Sequence, residues 1–120
     1  MAIKTKRAYD RPAASDGVRI LVDRLWPRGL SKQDLKIDLW MKDVSPSDEL
    51  RRWFQHDPMK WPQFRSCFLR ELRPKAGQIR GLAELASKQT VTLVFAAKDA
   101  VHCNAEVLKE SIRKRLTRKR

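Results

Sequence analysis

The sequence predicts a single α/β domain, three layers deep, in which a small, mostly parallel sheet is covered by helices. Three observations predict it. Two hydrophobic runs, VRILVDRL over 18–25 and TVTLVFAA over 90–97, present apolar side chains to both sides, as strands sandwiched between layers do. Elsewhere the apolar period lengthens from two to between three and four, the signature of helices with one face turned to a sheet. The 120 residues hold no internal repeat and no low-complexity linker, and a chain of that size builds one core.

Taken in order, residues 3–8 alternate and read as an edge strand, and RPAASDG over 11–17 reads as a loop. The run over 18–25 places Val18, Ile20 and Val22 on one side and Leu21 and Leu25 on the other, an inner strand. It stops at Trp26-Pro27-Arg28-Gly29, because proline has no donor for a ladder and glycine permits a sharp turn. Leu35, Ile37, Leu39 and Met41 recur at period two and predict a further strand over 35–44. Ser47-Asp48-Glu49 then caps a helix whose apolar side is Leu50, Trp53 and Phe54. Asp57-Pro58 opens a second, with Trp61, Phe64, Phe68 and Leu72 at helical spacing. Beyond Pro74, a third helix carries Ile79, Leu82, Ala83 and Ala86 on one face. The central strand over 90–97 and its exit loop over 98–101 follow. A last helix, from about His102, lines up Ala105, Leu108, Ile112 and Leu116. The domain so read covers residues 1–116, with 117–120 as a basic C-terminal tail.

Composition narrows the function classes. No apolar stretch approaches the length of a membrane span, and no apolar run follows the charged N-terminal residues as it would in a secretory leader. Two cysteines, Cys67 and Cys103, without a CxxC pair give neither a disulfide framework nor a cysteine-based zinc site, so a reducing cytoplasm is the expected location. The absence of H-x-x-x-H, of a Gly-rich phosphate loop and of GxSxG disfavours zinc hydrolases, Walker NTPases and serine hydrolases, and no cofactor or metal is expected. Net charge is +13, and about half of that excess falls in residues 109–120, KESIRKRLTRKR. Such a run holds polyanions by releasing their counterions, or it is simply a solvated helix end whose charge suits the helix dipole.

Open α/β sheets collect ligands beyond the carboxyl ends of their strands, and two strand exits here are rich in chemistry. The first, Asp23-Arg24-Leu25-Trp26-Pro27-Arg28-Gly29, supplies a carboxylate, two guanidinium forks and an indole. Arg24 and Arg28 suit bidentate capture of a phosphate or carboxylate, and Trp26 suits stacking on a flat ring. The same residues also serve a plain structural role if Trp26 is core and the arginines pair with Asp23 or a nearby acid. The second exit runs from Lys98 through Asp99, Ala100, Val101, His102 and Cys103 to Asn104. There His102 suits proton transfer with Asp99 orienting its ring and Lys98 holding negative charge, or else Asp99 or Asn104 is a helix cap beside an ordinary histidine. Cys103 beside His102 and a helix start has the setting of an activated thiol, yet most free cysteines are small buried hydrophobes. Cys67 reads as packing, and His56, in Phe54-Gln55-His56-Asp57-Pro58, as the end of one helix and the start of the next.

Three segments, VRILVDRLWPRGLSK, DLWMKDVSPSDELRRWFQHDPMKWPQF and LVFAAKDAVHCNAEVL, resemble the short bacterial DUF488 proteins of the YeaO-like group. The resemblance runs from about Ile3 to Leu116, and DRLWPRG is specific to it. It implies a compact α/β domain whose recurring polar positions fall here on Asp23, Arg24, Trp26, Arg28, Lys42, Asp57, Lys98, Asp99, His102 and Asn104. Similar proteins usually carry a polar residue where this chain has Cys103, which argues against a thiol nucleophile.

Two functions stand on these residues. In the first, a small anionic ligand, a nucleotide among the candidates, is bound or transformed at the strand ends. Asp23, Arg24, Trp26, Arg28, Lys98 and Asn104 then bind it, and His102 with Asp99 performs acid/base work. In the second, the chain is a basic nucleic-acid-binding module that uses its tail. Basic groups gathered in a crevice favour the first, and basic groups spread over a flat face the second.

Overall fold

A computed structural model describes residues 2–118 of the chain. Four strands form one sheet: β1 over Ile3–Arg7, β2 over Val18–Leu21, β3 over Leu39–Trp40 and β4 over Val91–Phe95. Their spatial order is β1-β4-β2-β3, and every neighbouring pair is parallel. The helices are α1 over Lys32–Leu35, α2 over Asp48–Phe54, α3 over Trp61–Leu72, α4 over Ala76–Lys88 and α5 over Asn104–Arg118. Among the described residues no helix is long and apolar enough to cross a membrane.

The two-sided pattern of the inner strands becomes two unequal cores. Ile20, Val22, Val91, Leu93 and Phe95 face the main core, where they meet Phe64 and Phe68 of α3, Leu82 of α4 and Leu108 and Ile112 of α5. Leu21 and Val94 face the other way, toward Ala8 and Leu35, with Trp26, Leu30, Ile37 and Trp40 packed around them. The third layer is therefore one helical turn and its flanking loops rather than long helices. Every residue of β4 is buried, as its unbroken apolar and β-branched composition requires.

A buried ion pair fixes the lower end of this second face. Arg19 donates to the Asp16 carboxylate at 2.7 Å and to the Leu35 carbonyl at 2.8 and 3.1 Å, while Lys6 adds a second cation at 3.1 Å. Burial pushes Asp16 up, but the Ala13 N–H, Lys6 and Arg19 outweigh it and hold the carboxyl below its ordinary value. Between Asp16 and β2, Gly17 has φ +65°, and a Cβ there would lie 2.2 Å from the Thr90 carbonyl oxygen, so only glycine fits.

The strand expected over 35–44 is reduced to Leu39–Trp40. Ser31 caps α1 instead, accepting from the Asp34 N–H at 3.0 Å while the Asp34 carboxylate accepts from the Ser31 N–H at 3.1 Å. Lys36 ends that turn in the left-handed region, φ 50°, and a 3-10 turn over Lys42–Val44 follows β3. The apolar alternation is present, but Leu35 and Ile37 fill the second core from a turn and not from a ladder. Smaller shifts affect other bounds. β2 ends at Leu21, a 3-10 turn over Pro58–Lys60 precedes α3, and α5 begins at Asn104. Of the four residues read as a tail, Thr117 and Arg118 continue α5, and Lys119 and Arg120 lie outside the described residues.

Candidate functional site

Because β2 and β4 are hydrogen-bonded parallel neighbours, with Leu21 opposite Val94, both chains leave the sheet at one edge. Polar groups tie them together there. The Asp23 carboxylate accepts the Ala96 N–H at 2.9 Å and the Asn104 side-chain amide at 3.1 Å, and that amide also donates to the Val22 carbonyl at 3.1 Å. Among the described residues no cation stands within ion-pairing distance of Asp23. Burial pushes its carboxyl above the ordinary value, and the Ala96 N–H, the Asn104 amide and the positive charges of His56 and Arg51 offset only part of that.

A crevice of about 590 Å³ opens beyond this edge. The β2 exit lines it with Asp23, Arg24, Leu25, Trp26, Pro27 and Arg28, and the β4 exit with Ala96, Ala97, Lys98 and Asp99. Cys103 and Asn104 stand where α5 begins. Arg51 and Phe54 of α2, His56 just after it, and Phe64 of α3 also line it.

The cations around the crevice are not equivalent. Arg24 and Arg51 both reach Asp48, at 3.5 and 3.0 Å. The guanidinium of Arg28 and the ammonium of Lys98 are exposed and, among the described residues, form no ion pair and no hydrogen bond. The loop that carries Arg28 is nonetheless held. Tyr9 donates its hydroxyl to the Arg28 carbonyl at 2.9 Å, and Trp26 donates its indole N–H to the Leu30 carbonyl at 2.7 Å. Trp26 also packs edge-on against Trp40 at 5.4 Å, so its ring is a fixed wall of the crevice.

Asp99 and His102 are in contact, but the imidazole stands beside the crevice and does not line it. One Asp99 oxygen accepts the N–H groups of Val101 and His102 at 2.9 Å, and the other lies 2.8 Å from His102 Nδ1. The backbone N–H of His102, then its ring, hold the Asp99 carboxyl down at about 2. The ring meets Trp61 edge-on at 5.2 Å. Cys103 is buried, and desolvation, with the charges of Glu106 and Asp23, raises its thiol to about 11, against any role as a nucleophile at neutral pH. Lys42 lies over the Trp40 ring at 4.1 Å, and Asp57 accepts the Met59 N–H at 3.0 Å, so both serve local structure. Among the described residues no group of three or more His, Cys, Asp or Glu side chains is placed to hold a metal ion.

The family model DUF488-N3i, described as the inactive DUF488-N3 subclade, matches residues 2–120. The chain belongs to this DUF488 family. It is 44% identical over 113 residues to Uncharacterized protein YeaO of Escherichia coli (strain K12), covering 94% of this chain and 98% of that one. It is 38% identical over 106 residues to Uncharacterized protein Rv3073c of Mycobacterium tuberculosis, covering 88% of this chain and 89% of that one. No solved structure matches it significantly.

In this DUF488 protein, sequence reasoning missed four polar residues that border the crevice: Tyr9, Ser45, Arg51 and His56. For Arg51 there was a weak signal, since a basic residue on the polar side of α2 follows Asp48 at the ion-pairing interval of three. For His56 there was none, because its place depends on backbone angles after α2 that composition does not announce. A second hollow, about 1010 Å³ and wide open to solvent, lies between α2 and α3 and includes none of the residues at the strand exits.

Proposed function

We propose that the crevice at the strand ends binds a small anionic molecule with a flat or apolar part, and that binding is the protein's function there. The observation that carries this reading is the pair Arg28 and Lys98. They come from two strand exits, border one crevice, and have no acidic partner among the described residues. An anion bound in the crevice would compensate both cations, which otherwise add to the positive field there. Trp26 offers aromatic surface to the remainder of the ligand, above an apolar floor that includes the buried rings of Phe54 and Phe64. The description of the family as an inactive subclade supports binding over turnover. His102, oriented by Asp99, is proposed as an acid/base only toward a ligand long enough to pass the crevice rim.

The test is calorimetry with inorganic phosphate, sulfate and nucleoside monophosphates. Arg28→Ala weakens binding by about 1.5 to 3 kcal/mol, the scale of a charge-assisted hydrogen bond, and leaves the denaturant midpoint unchanged. Unaltered affinity in both Arg28→Ala and Lys98→Ala overturns the reading. Tight binding to nucleic acid with a steep salt slope, indifferent to both substitutions, favours the polymer-binding alternative instead.

A further inference from the structure

His56 borders the crevice from a left-handed backbone conformation. Gln55 caps the C-terminal end of α2 in the left-handed region with φ 48°, its N–H donating to the Arg51 carbonyl at 3.1 Å. One left-handed residue is enough to terminate a helix. Here a second follows: His56 has φ 57°, although a residue with a Cβ disfavours that region. The turn is locked, since the Asp57 N–H donates to the Phe54 carbonyl at 3.0 Å and the His56 ring lies tilted on Phe54 with centroids 6.0 Å apart. Its consequence is that an imidazole joins the lining of the crevice shared by the two strand exits. Backbone strain of this sort persists where the surroundings hold it, and it gathers at ligand sites.

We infer that His56, and not His102, is the proton-dependent ligand contact of the crevice, so that protonation of its ring tightens the binding of an anion. The inference rests on the anion-binding reading given above. Charged groups sharing the crevice with His56 are Asp23 and Arg28 from the β2 exit, Lys98 and Asp99 from the β4 exit, and Arg51 from α2. Arg24, also at the rim, shares Asp48 with Arg51, and Asp57, next in the chain, is occupied in capping the turn after it. Asp23 and His56 line the same crevice, so a charge on the ring acts on the carboxylate. Imidazole is the side chain whose charge changes between pH 5 and 8. The cationic ring adds to Arg28 and Lys98, whereas the neutral ring leaves Asp23 less compensated. Both effects act in one direction, toward tighter anion binding as pH falls. By linkage, a bound anion draws a proton onto the ring.

Inorganic sulfate is the probe, because its own charge is constant over this range. Calorimetry on the full chain from pH 5.5 to 8, repeated in buffers of different ionisation enthalpy, gives affinity and proton uptake together. Wild type is expected to bind on the order of tenfold more tightly at the acid end, with net proton uptake on binding. His56→Asn, which tolerates the left-handed backbone, removes both the pH dependence and the uptake, and His102→Gln keeps both. A wild type with no pH dependence, a His56→Asn variant that retains it, or a His102→Gln variant that loses it overturns the inference. Sulfate binding that needs Arg28 but ignores His56 sinks this inference alone. If no sulfate binding at any pH depends on Arg28 or Lys98, the anion-binding reading fails as well.

Discussion

The side-chain amide of Asn104, at the start of α5, lies 3.1 Å from the carboxylate of Asp23, at the exit of β2, across 81 positions of sequence. With the Ala96 N–H on the same carboxylate, this contact joins the two strand exits and the last helix into one edge. Asn104→Ala leaves the Val22 carbonyl and one Asp23 oxygen without their donor in a partly buried place. The expected cost is about 1 to 3 kcal/mol in urea unfolding, against nearly none for a neighbouring surface substitution such as Val101→Ala. Equal stability of Asn104→Ala and wild type would show that the edge is held by packing alone.

Acid titration separates two carboxylates of this edge, because their shifts have opposite signs. Asp99 has its folded value lowered to about 2 from 3.8, so its contribution to stability is present above about pH 4 and lost as pH falls toward 2. Asp23 has its value raised, so its contribution is present below 3.8 and lost as pH rises through the folded value. Unfolding measured from pH 2 to 7 should therefore show Asp99→Asn converging on wild type at the acid end and falling behind above pH 4. A constant gap between the two curves contradicts the assignment.

Thiol accessibility gives a third check. Cys103 is buried with its thiol raised to about 11, while Cys67 is half-buried between α2 and α3. Iodoacetamide at pH 8, followed by peptide mass analysis, should modify Cys67 in the folded protein and reach Cys103 only after denaturant is added. Equal labelling of both under native conditions would place Cys103 in solvent and reopen its candidacy as a nucleophile.

The layered fold was legible where one physical signal dominates. TVTLVFAA, β-branched and apolar throughout, reads as a strand shielded on both sides and supplies β4 over Val91–Phe95, and the spacing of Phe64, Phe68 and Leu72 reads as a helix on a core. The strand expected over 35–44 shortens to Leu39–Trp40 because period two there arises from a turn that drops Leu35 and Ile37 into the second core. The informative signal was the Ser31 and Asp34 capping box, which the alternation overshadowed. The crevice was half legible. Residues on the two strand exits follow from topology, since parallel neighbours must open at one edge. Residues that α2 and the turn after it bring to the crevice depend on tertiary packing, and the left-handed pair Gln55 and His56 carries neither glycine nor asparagine to betray that turn. For His102 the contact with Asp99 is local and readable, whereas its edge-on packing against Trp61 of a distant helix is not.

The strand order has a consequence for how the chain reaches this state. β1 and β2 make no hydrogen bonds to one another, and each pairs with β4, so Ile3 must wait for Val91 and Val18 for the same residue. During synthesis from the N-terminus the first three strands emerge before the ladder that unites the sheet exists. Their apolar faces can be sheltered in that interval only by collapse against α2, α3 and α4, or by a chaperone. Assembly is thus gated by the arrival of residues 91–95. Mutations that slow the docking of β4 should lengthen the time spent as an aggregation-prone chain even where the finished domain is no less stable.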